Sequence, residues 1–330
     1  MKNPIVKNPF QDPEIPKRTS WSYSSLKLFR KCKRKFYWKH VFRLRPRREP
    51  SALVISSAVH EALAKWYSLK RASMHKIVSN IINTVQRRAE QAANFYDQEE
   101  YDDLLITLNT LQGILTAYAE VYSQDSKLWQ ATKKDVEVWF TINLGPFDFK
   151  GRIDLLPTCK GKLFIVDHKV VSRIGESFVE KLPMDGQLRG YILGVSQGLK
   201  LKPVKVVYNL IRKCKLRQKS QESLEEFTER IKEDYLSRPD FYFQRETLLF
   251  SKNDVEAFEH DLRKTHSEYA WLVDNSSDPL DPREWPCNDD MCNEYFRTCE
   301  YFPLCTQCLD AGTSKLYTQY NKKGDYYEDL

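Results

Sequence analysis

The feature that most constrains how this chain folds is an alternation of apolar and polar residues between positions 136 and 171. In 136–144 and 147–154 every second residue is apolar or glycine, and a Gly-Pro pair separates the two stretches. A Lys-Gly pair precedes a third apolar stretch at 163–171. A period of two is typical of β-strands, and Gly and Pro between such stretches mark turns. The pattern therefore predicts three consecutive strands, of which the first two form a hairpin.

The second turn decides which residues of the last two strands face each other. If it consists of residues 160 and 161 alone, Asp154 lies opposite Asp167. Opposed side chains in an antiparallel pair are about 5 Å apart on one face. Lys169 is two residues beyond Asp167, so it shares that face. A two-residue first turn would add Glu137 as a third carboxylate, an extension that requires a second register to be right.

Two opposed carboxylates and a lysine suit metal-assisted hydrolysis of a phosphodiester. The carboxylates repel each other unless a cation lies between them. A hard divalent ion prefers oxygen ligands, and it polarises a phosphoryl oxygen and lowers the pKa of its bound water. Lys169 can orient the attacking water and offset charge that develops on the phosphate. The alternative is a surface ion-pair cluster in which Lys169 only neutralises Asp167.

The rest of the chain predicts helices around these strands. Its 330 residues suit one large domain or a core with a helical insertion. The first 20 residues predict an extended arm. Apolar spacing predicts helices at 22–40 (with a cap at Ser22), 56–69, 71–130, 182–198, 220–238 and 252–274, and strands at 204–211 and 241–250. The core order is therefore helix, three strands, helix, strand, which fits several α/β or α+β folds.

A basic segment, defined as residues 27–48, carries Lys and Arg but no acidic residue. Aromatic residues are interleaved with this charge, although the whole chain is only mildly basic, with a formal charge of +7. Such a segment can neutralise phosphates and stack on bases, and the alternative is a solvated helix face with a buried aromatic stripe. The candidate DNA-contacting residues are Arg30, Lys31, Arg34, Lys35, Lys39 and Arg43.

The cysteines and the apolar runs argue against a membrane-spanning or a secreted, disulfide-bonded protein. No apolar run approaches the length of about 18 residues that indicates a membrane span. The polar, Pro-punctuated N-terminus predicts no secretory signal. Eight cysteines in a non-secreted chain indicate thiols or metal ligands rather than disulfides. Zinc can bind Cys287, Cys292, Cys305 and Cys308, whereas Cys159 and Cys214 are expected to be free, buried thiols.

The motifs resemble those of a known nuclease superfamily. Gly151-Arg-Ile-Asp154 followed by Ile165-Val-Asp-His-Lys169 resembles the PD-(D/E)XK signature, with Ile153 in place of the proline. Gln187-x-x-x-Tyr191 is similar to the QxxxY motif of the RecB-like and CRISPR-associated exonuclease branch of phages and bacteria. His60 matches that branch's upstream histidine.

The resemblance implies a restriction-endonuclease-like α/β fold. Its αβββαβ core is a mixed sheet flanked by helices, here with a helical insertion and an iron–sulfur cysteine tail. The predicted domains are an N-terminal arm with the basic helix (1–56), the nuclease core (57–70 and 132–278), the helical insertion (71–131) and the cysteine-rich tail (279–330). The resemblance does not cover the insertion, which is predicted from the helical pattern alone.

The resemblance also implies a role for each motif residue. Asp154, Asp167 and His60 would bind Mg²⁺ or Mn²⁺, with the backbone carbonyl of His168 as a further ligand. Lys169 would be the catalytic lysine. The two motif residues of the next helix, Gln187 and Tyr191, would position the scissile strand.

In the same branch one early cysteine joins three late ones around a [4Fe-4S] cluster. The matching residues are Cys32, Cys292, Cys299 and Cys305. Thiolates suit iron–sulfur clusters, and zinc bound by the tail cysteines alone is the alternative. The resemblance assigns no role to Cys287 or Cys308.

The function implied is that of a DNA exonuclease or end-processing nuclease. Its partner would be single- or double-stranded DNA ends in repair, recombination or phage DNA metabolism, in the cytoplasm of a bacterial or phage-infected cell. The chain has no Walker motif, so helicase activity would come from a partner protein. The alternatives are a non-catalytic DNA-binding module that retains the fold and a zinc-stabilised nucleic-acid adaptor.

Overall fold

The computed structural model describes residues 13–46, 51–69, 73–91, 98–294, 297–306 and 316–319. Its contacts divide the chain into two compact units. Unit 1 comprises Met1–Glu49, Thr141–Lys150 and Glu256–Leu330, and unit 2 comprises Pro50–Phe140 and Gly151–Val255. Unit 1 is therefore assembled from three segments that are far apart in sequence, whereas unit 2 is nearly continuous.

The strands are β1 (Thr19–Trp21), β2 (Leu44–Pro46), β3 (Val136–Asn143), β4 (Phe147–Leu155), β5 (Thr158–Cys159), β6 (Lys162–Leu163), β7 (Ile165–Val171), β8 (Val206–Arg212), β9 (Phe243–Leu248), β10 (Asn293–Glu294), β11 (Arg297–Thr298) and β12 (Tyr317–Gln319). The helices are α1 (Tyr23–Lys31), α2 (Lys33–Phe36), α3 (Ser51–Ser68), α4 (Met74–Gln91), α5 (Gln98–Val121), α6 (Asp125–Leu128), α7 (Glu176–Val179), α8 (Gly186–Leu193), α9 (Leu224–Ser237), α10 (Pro239–Tyr242), α11 (Lys252–Asn275) and α12 (Phe302–Thr306). None of the described helices has the length and apolar character needed to cross a membrane.

Unit 2 contains a mixed sheet. β4 pairs antiparallel with β7, β7 pairs parallel with β8, and β8 pairs antiparallel with β9. β3 pairs with β4. A parallel pair needs a crossover connection, and α7 and α8 lie between β7 and β8 in the chain. The predicted order of helix, three strands, helix and strand is confirmed by α3, then β3, β4 and β7, then α8 and β8.

The helical stretch 71–130 was predicted correctly to be helical and forms α4, α5 and α6 within its described residues. Its apolar residues do not form a separate core. Leu111 and Leu115 of α5 belong to the same buried cluster as Val166 of β7 and Ile211 of β8. The helices of the expected insertion therefore share one hydrophobic core with the sheet.

In unit 1, β1 pairs in parallel with the first residues of β4, with Thr19 opposite Phe147. The predicted cap at Ser22 is confirmed, because its hydroxyl accepts from the backbone N–H of Ser25 and a capping box is present. The single helix predicted for 22–40 is wrong. Cys32 has an extended backbone (φ −157°, ψ 112°), and it ends α1 before α2 and a π-helix at Tyr37–Val41.

Aromatic side chains form the interior of unit 1. Trp21, Phe29 and Phe36 are buried, and the ring centroids of Trp21 lie 5.6 Å from Phe29 and 5.4 Å from Phe36. Tyr269 of α11 packs 5.5 Å from Trp21 in an edge-on arrangement. The aromatic residues of the basic segment thus include a buried stripe, as the alternative interpretation of that segment expected.

The other element boundaries differ from the predictions in detail. The helix predicted for 182–198 begins as a 3₁₀ turn at Leu182–Met184 and ends as a π-helix at Gly194–Gly198. Between them, Asp185 caps α8 by accepting from the backbone N–H of Gln187. Sequence periodicity does not detect such changes of hydrogen-bond pitch within one apolar stretch.

We predict that Gly194→Ala destabilises the protein by about 1 to 3 kcal/mol through overpacking. A Cβ at Gly194 would lie 2.6 Å from carbons of the Phe140 ring. Urea unfolding followed by circular dichroism measures the loss. Gly175→Ala is the matched control, because its nearest neighbour would be 3.7 Å away. If Gly194→Ala and Gly175→Ala unfold at the same midpoint, the Phe140 contact does not constrain the site.

Candidate active site

The predicted register of the third strand is confirmed. Both turn residues, 160 and 161, have positive φ (50° and 75°), as a two-residue type I′ turn requires. Leu155 of β4 pairs with Val166 of β7. The next residues in this antiparallel register are Asp154 and Asp167, so the two carboxylates belong to opposed positions.

Asp154 is buried and has partners for both carboxylate oxygens. Its Oδ2 accepts from the backbone N–H of His168 at 2.7 Å, and its Oδ1 lies 3.2 Å from Nδ1 of His60. Burial by itself would raise the pKa of Asp154. The positive charge of His60 and the N–H of His168 outweigh burial and hold this pKa below its usual value. Asp154 is therefore a carboxylate at neutral pH.

Asp167 is in the opposite electrostatic situation. It is 1% exposed, and its Oδ2 is buried without a hydrogen-bond partner among the described residues. Burial and the charge of Asp154 raise its pKa, against the smaller opposing effect of Lys169. A buried acceptor without a donor is costly, and a bound cation would satisfy it. The residues present therefore fit a divalent metal ion.

Glu137 completes a group of possible metal ligands. One ligand atom each from His60, Glu137 and Asp154 lie within 4.8 Å of one another. Glu137 has a positive φ of 52°, which is rare for a residue with a side chain, and its carboxylate pairs with Arg152 at 2.8 Å. The sequence proposed Glu137 only as a weaker extension, and the structure places it with the other two.

The charge at the site also acts on His60. Burial lowers its pKa, but the carboxylates of Asp154, Asp167 and Glu137 outweigh burial and raise the pKa to about 9. His60 is therefore an imidazolium at neutral pH in the metal-free protein. A metal ligand must be the neutral imidazole, so binding a metal at His60 would release a proton.

Lys169, Gln187 and Tyr191 form a hydrogen-bonded group next to Asp167. The ammonium of Lys169 donates to Oε1 of Gln187 at 3.3 Å. Nε2 of Gln187 donates to Oδ1 of Asp167 at 3.3 Å and to the hydroxyl of Tyr191 at 2.7 Å. The spacing of four residues puts Gln187 and Tyr191 on one face of α8. The predicted catalytic lysine and both motif residues thus lie together.

The candidate DNA-contacting residues of the basic segment lie in unit 1, where several have internal partners. Arg30 donates to Thr265 at 2.8 Å, and Arg34 donates to the carbonyl of Trp285 at 3.0 Å. The remaining candidates are Lys35, which pairs with Glu300 at 2.8 Å, Arg43, which is buried, and Lys31 and Lys39, which are partly buried. The structure thus gives at least three of them a role in holding unit 1 together.

Cys32 and the tail cysteines within the described residues lie near one another in unit 1. Burial raises the pKa of the Cys292 thiol, and Cys287, Cys299, Cys305 and Cys32 are all close enough to affect it further. Beside Cys32, the side-chain amide of Asn288 donates to the backbone carbonyl of Lys31 at 2.9 Å.

The other four cysteines are Cys287, Cys308, Cys159 and Cys214. Cys287, a candidate zinc ligand to which the resemblance assigned no role, is exposed and is one of this group in unit 1. Cys308 lies outside the described residues. Cys159 and Cys214 are free, as expected, but they are half-buried rather than buried.

Sequence reasoning missed three polar residues of unit 2 that contact the site indirectly. Asn209 of β8 lies 2.8 Å from the ring of His168, Arg245 of β9 donates to Asn209, and Asp125 of α6 pairs with Arg245. They are distant from one another in sequence and match no motif. Their only local signal is a polar residue in the middle of a largely apolar strand, as Asn209 is in β8.

Comparison with models of protein families matches residues 20–306 to the PD-(D/E)XK nuclease superfamily. Comparison with curated proteins found no match. Among solved structures, the chain aligns with a protein from Eubacterium rectale described as a candidate exonuclease, at 14% identity and a TM-score of 0.45. That alignment covers 87% of this chain and 93% of the other.

We predict that Asp154→Asn and Glu137→Gln each lower the affinity for Mn²⁺ at least about tenfold, or roughly 1.4 kcal/mol. Both substitutions remove a charged oxygen ligand while keeping the shape of the side chain. Isothermal titration calorimetry measures the affinity. Glu120→Gln is the control, because Glu120 pairs with Lys232 on the helical surface. Wild-type affinity in both site variants would place the metal elsewhere.

The affinity of the wild-type protein for Mn²⁺ should also depend on pH. Because His60 must lose its proton to bind a metal, affinity should rise with pH up to its pKa of about 9. In His60→Ala this dependence should be weaker. The same calorimetric titration at several pH values tests it. A dependence unchanged in His60→Ala would exclude His60 as a ligand.

Proposed function

Because this chain belongs to the PD-(D/E)XK nuclease superfamily, we propose that it is a metal-dependent DNA nuclease whose site is built around Asp154, Asp167 and Lys169. The observation that carries the proposal is the buried Oδ2 of Asp167, which lacks a hydrogen-bond partner among the described residues. Its carboxylate lies on the strand position opposite Asp154 and two residues before the lysine. That arrangement costs stability unless a cation binds there.

The residues of the site have separable roles in this mechanism. Asp154, Asp167, Glu137 and His60 would hold Mg²⁺ or Mn²⁺, with the carbonyl of His168 as a further proposed ligand. A divalent ion bound there supplies Lewis acidity to the phosphate and a bound water of lowered pKa. Each protein group then acts from a position fixed before the substrate arrives. Such preorganised groups stabilise a transition state without having to reorganise during the reaction.

Lys169 is the group that we propose acts on the reacting phosphate. Its ammonium is held by Oε1 of Gln187, which is itself fixed by the hydroxyl of Tyr191. In that position it can orient the attacking water and neutralise the charge that grows on the phosphate. Gln187 and Tyr191 are proposed to align the scissile strand against the site.

We further propose exonuclease or end-processing action on single- or double-stranded DNA ends, in repair, recombination or phage DNA metabolism. The support is the QxxxY pair on α8, which resembles that of the RecB-like branch. A helicase or recombination partner and a cytoplasmic setting follow from the same resemblance. We also propose that the basic segment contacts DNA phosphates through Arg30, Lys31, Arg34, Lys35, Lys39 and Arg43.

In unit 1 we propose a [4Fe-4S] cluster on Cys32, Cys292, Cys299 and Cys305. The thiols are of the chemical class that such clusters need, and they come from both ends of the chain. Joining Cys32 to Cys292 would close a loop of about 260 residues and so restrict the unfolded chain. Zinc on the tail cysteines is the competing proposal, and it would not need Cys32.

We predict that Lys169→Ala lowers the cleavage rate by about 10²- to 10³-fold, by analogy with the loss of one transition-state donor. DNA affinity should change little, because most of it comes from other phosphate contacts. End-labelled single- and double-stranded DNA with Mg²⁺ or Mn²⁺ measures the rate, and EDTA should abolish it. Lys232→Ala, which removes a surface lysine of α9, is the control. A wild-type rate in Lys169→Ala would favour the binding-module alternative.

We predict that the protein purified without oxygen is brown and binds iron through Cys32. Cys32→Ala should lose iron as completely as Cys299→Ala does. Cys214→Ala, which removes a half-buried thiol of unit 2, should keep it. Metal analysis by mass spectrometry and absorbance near about 400 nm, roughly where iron–thiolate clusters absorb, measure this. Zinc without iron, retained in Cys32→Ala, would establish the competing zinc site instead.

A further inference from the structure

Arg245 of β9 is a largely buried cation, and each of its three guanidinium nitrogens has a hydrogen-bond acceptor in unit 2. Its guanidinium forms a two-point ion pair with Asp125, with N···O distances of 3.0 and 2.5 Å. Nη2, one of the two nitrogens in that pair, also lies 3.1 and 3.0 Å from the hydroxyls of Tyr67 and Tyr118 and shares its two hydrogens among these acceptors. The face of the guanidinium packs against aromatic rings, including Tyr122 at 3.5 Å from the ring centroid. Arg245 is therefore held rigidly from every side.

The remaining donor of Arg245 fixes the orientation of the Asn209 amide. Nε of Arg245 donates to Oδ1 of Asn209 at 3.2 Å. A guanidinium can only donate, so the oxygen of the amide must face Arg245 and the NH₂ group must face the other way. That NH₂ group lies 2.8 Å from Nδ1 of His168, and it donates there. Nδ1 is thus an acceptor, and the ring proton of neutral His168 is on Nε2.

His168 connects this network to the site through its own backbone. Its ring is stacked on Tyr67, with centroids 5.7 Å apart and planes inclined by 11°. Its N–H donates to Oδ2 of Asp154 at 2.7 Å. A ring held by Asn209 on its edge and by Tyr67 on its face leaves the residue one orientation. The backbone of the residue between Asp167 and Lys169 is therefore held in place as well.

We propose that Asp125, Arg245, Asn209 and His168 form a buried polar relay that positions Asp154 and the β7 backbone for metal binding and catalysis. Asn209 and Arg245 are positioning residues, because they act through His168. The expected effect on kcat rests on the proposed function, whereas the expected tautomer of His168 does not. The proposal gives α5 and α6 a part in the chemistry: they supply Tyr118 and Asp125, which anchor the far end of the relay.

The energetics of burial support a positioning role. A buried ion pair is a poor source of stability, because removing two charges from water costs about as much as their attraction returns. A layer of apolar residues at Asp125 and Arg245 would pack into the surrounding cluster at least as well. What apolar residues cannot do is orient an amide, and through it a histidine ring. Groups behind metal ligands typically affect metal affinity or activity by about 10- to 100-fold.

Two variants and one matched control test the relay. Asn209→Leu removes the donor to His168, and Arg245→Lys keeps the charge but removes the two-point pair and the Nε donor. Both should lower Mn²⁺ affinity, and kcat for end-labelled single-stranded DNA, by about 10- to 100-fold, with KM changed little. Arg230→Lys is the matched control, because Arg230 makes an equivalent two-point pair with Glu222 that does not reach the site. It should retain wild-type values.

A structural role alone predicts a different outcome. Asn209→Leu and Arg245→Lys would then unfold at lower urea concentration, yet the folded protein would bind Mn²⁺ and turn over as the wild type does. That result overturns the relay. Asn209→Asp separates the two roles further, because it keeps the acceptor for Arg245 but presents an acceptor, instead of a donor, to Nδ1 of His168.

The tautomer of His168 provides a readout that does not require nuclease activity. Nitrogen NMR of the histidine rings should assign the proton of His168 to Nε2 in the wild type and to Nδ1 in Asn209→Asp. A wild-type ring protonated on Nδ1 would contradict the proposal directly. If the tautomer changes as expected but the wild type does not cut DNA, the proposed function fails while the relay remains.

Discussion

The repulsion between two buried carboxylates is the constraint on which the organisation of unit 2 depends. Asp154 and Asp167 occupy opposed positions on β4 and β7, and burial makes their mutual repulsion stronger than it would be in water. The surrounding groups respond unequally. His60 and a backbone N–H stabilise the charge on Asp154, whereas Asp167 keeps one oxygen with no hydrogen-bond partner in the described part of the chain. This asymmetry makes the pair suited to binding a cation.

A close contact between neighbouring elements also shapes the surroundings of this pair. The ring of Phe140 on β3 fills the space beside Gly194, where even a methyl group would clash. That contact holds the end of α8 against the sheet, and α8 carries the glutamine that links Lys169 with Asp167. The close contact at Gly194 and the proposed polar relay behind β7 therefore both support the residues of the site. Rigid support is what a preorganised site requires.

Much of the fold could be predicted from local pattern, and the failures have a common physical origin. The opposition of Asp154 and Asp167 follows from alternation and a two-residue turn, which are local properties. The break at Cys32 and the parallel pairing of β1 were not predicted. The backbone on either side of Cys32 bonds to Asn288 and Pro286, and β1 pairs with β4, so both features involve segments far away in the sequence. The relay was missed for the same reason. Arg245 belongs to a strand whose sequence shows no sign that Asp125, at the end of the helical stretch, is its partner.

Unit 1 combines the first and the last segments of the chain, which the ribosome synthesises at different times. Trp21, at the centre of its aromatic interior, donates to His266, which is 245 residues later in the chain. Phe29 and Phe36 likewise pack on Tyr269. Until that late segment emerges, these large apolar side chains have one another but lack their native partners on α11, and contacts of such sequence separation form slowly. The aromatic interior of unit 1 therefore cannot be completed until α11 has been synthesised, although Trp21 is made among the first residues.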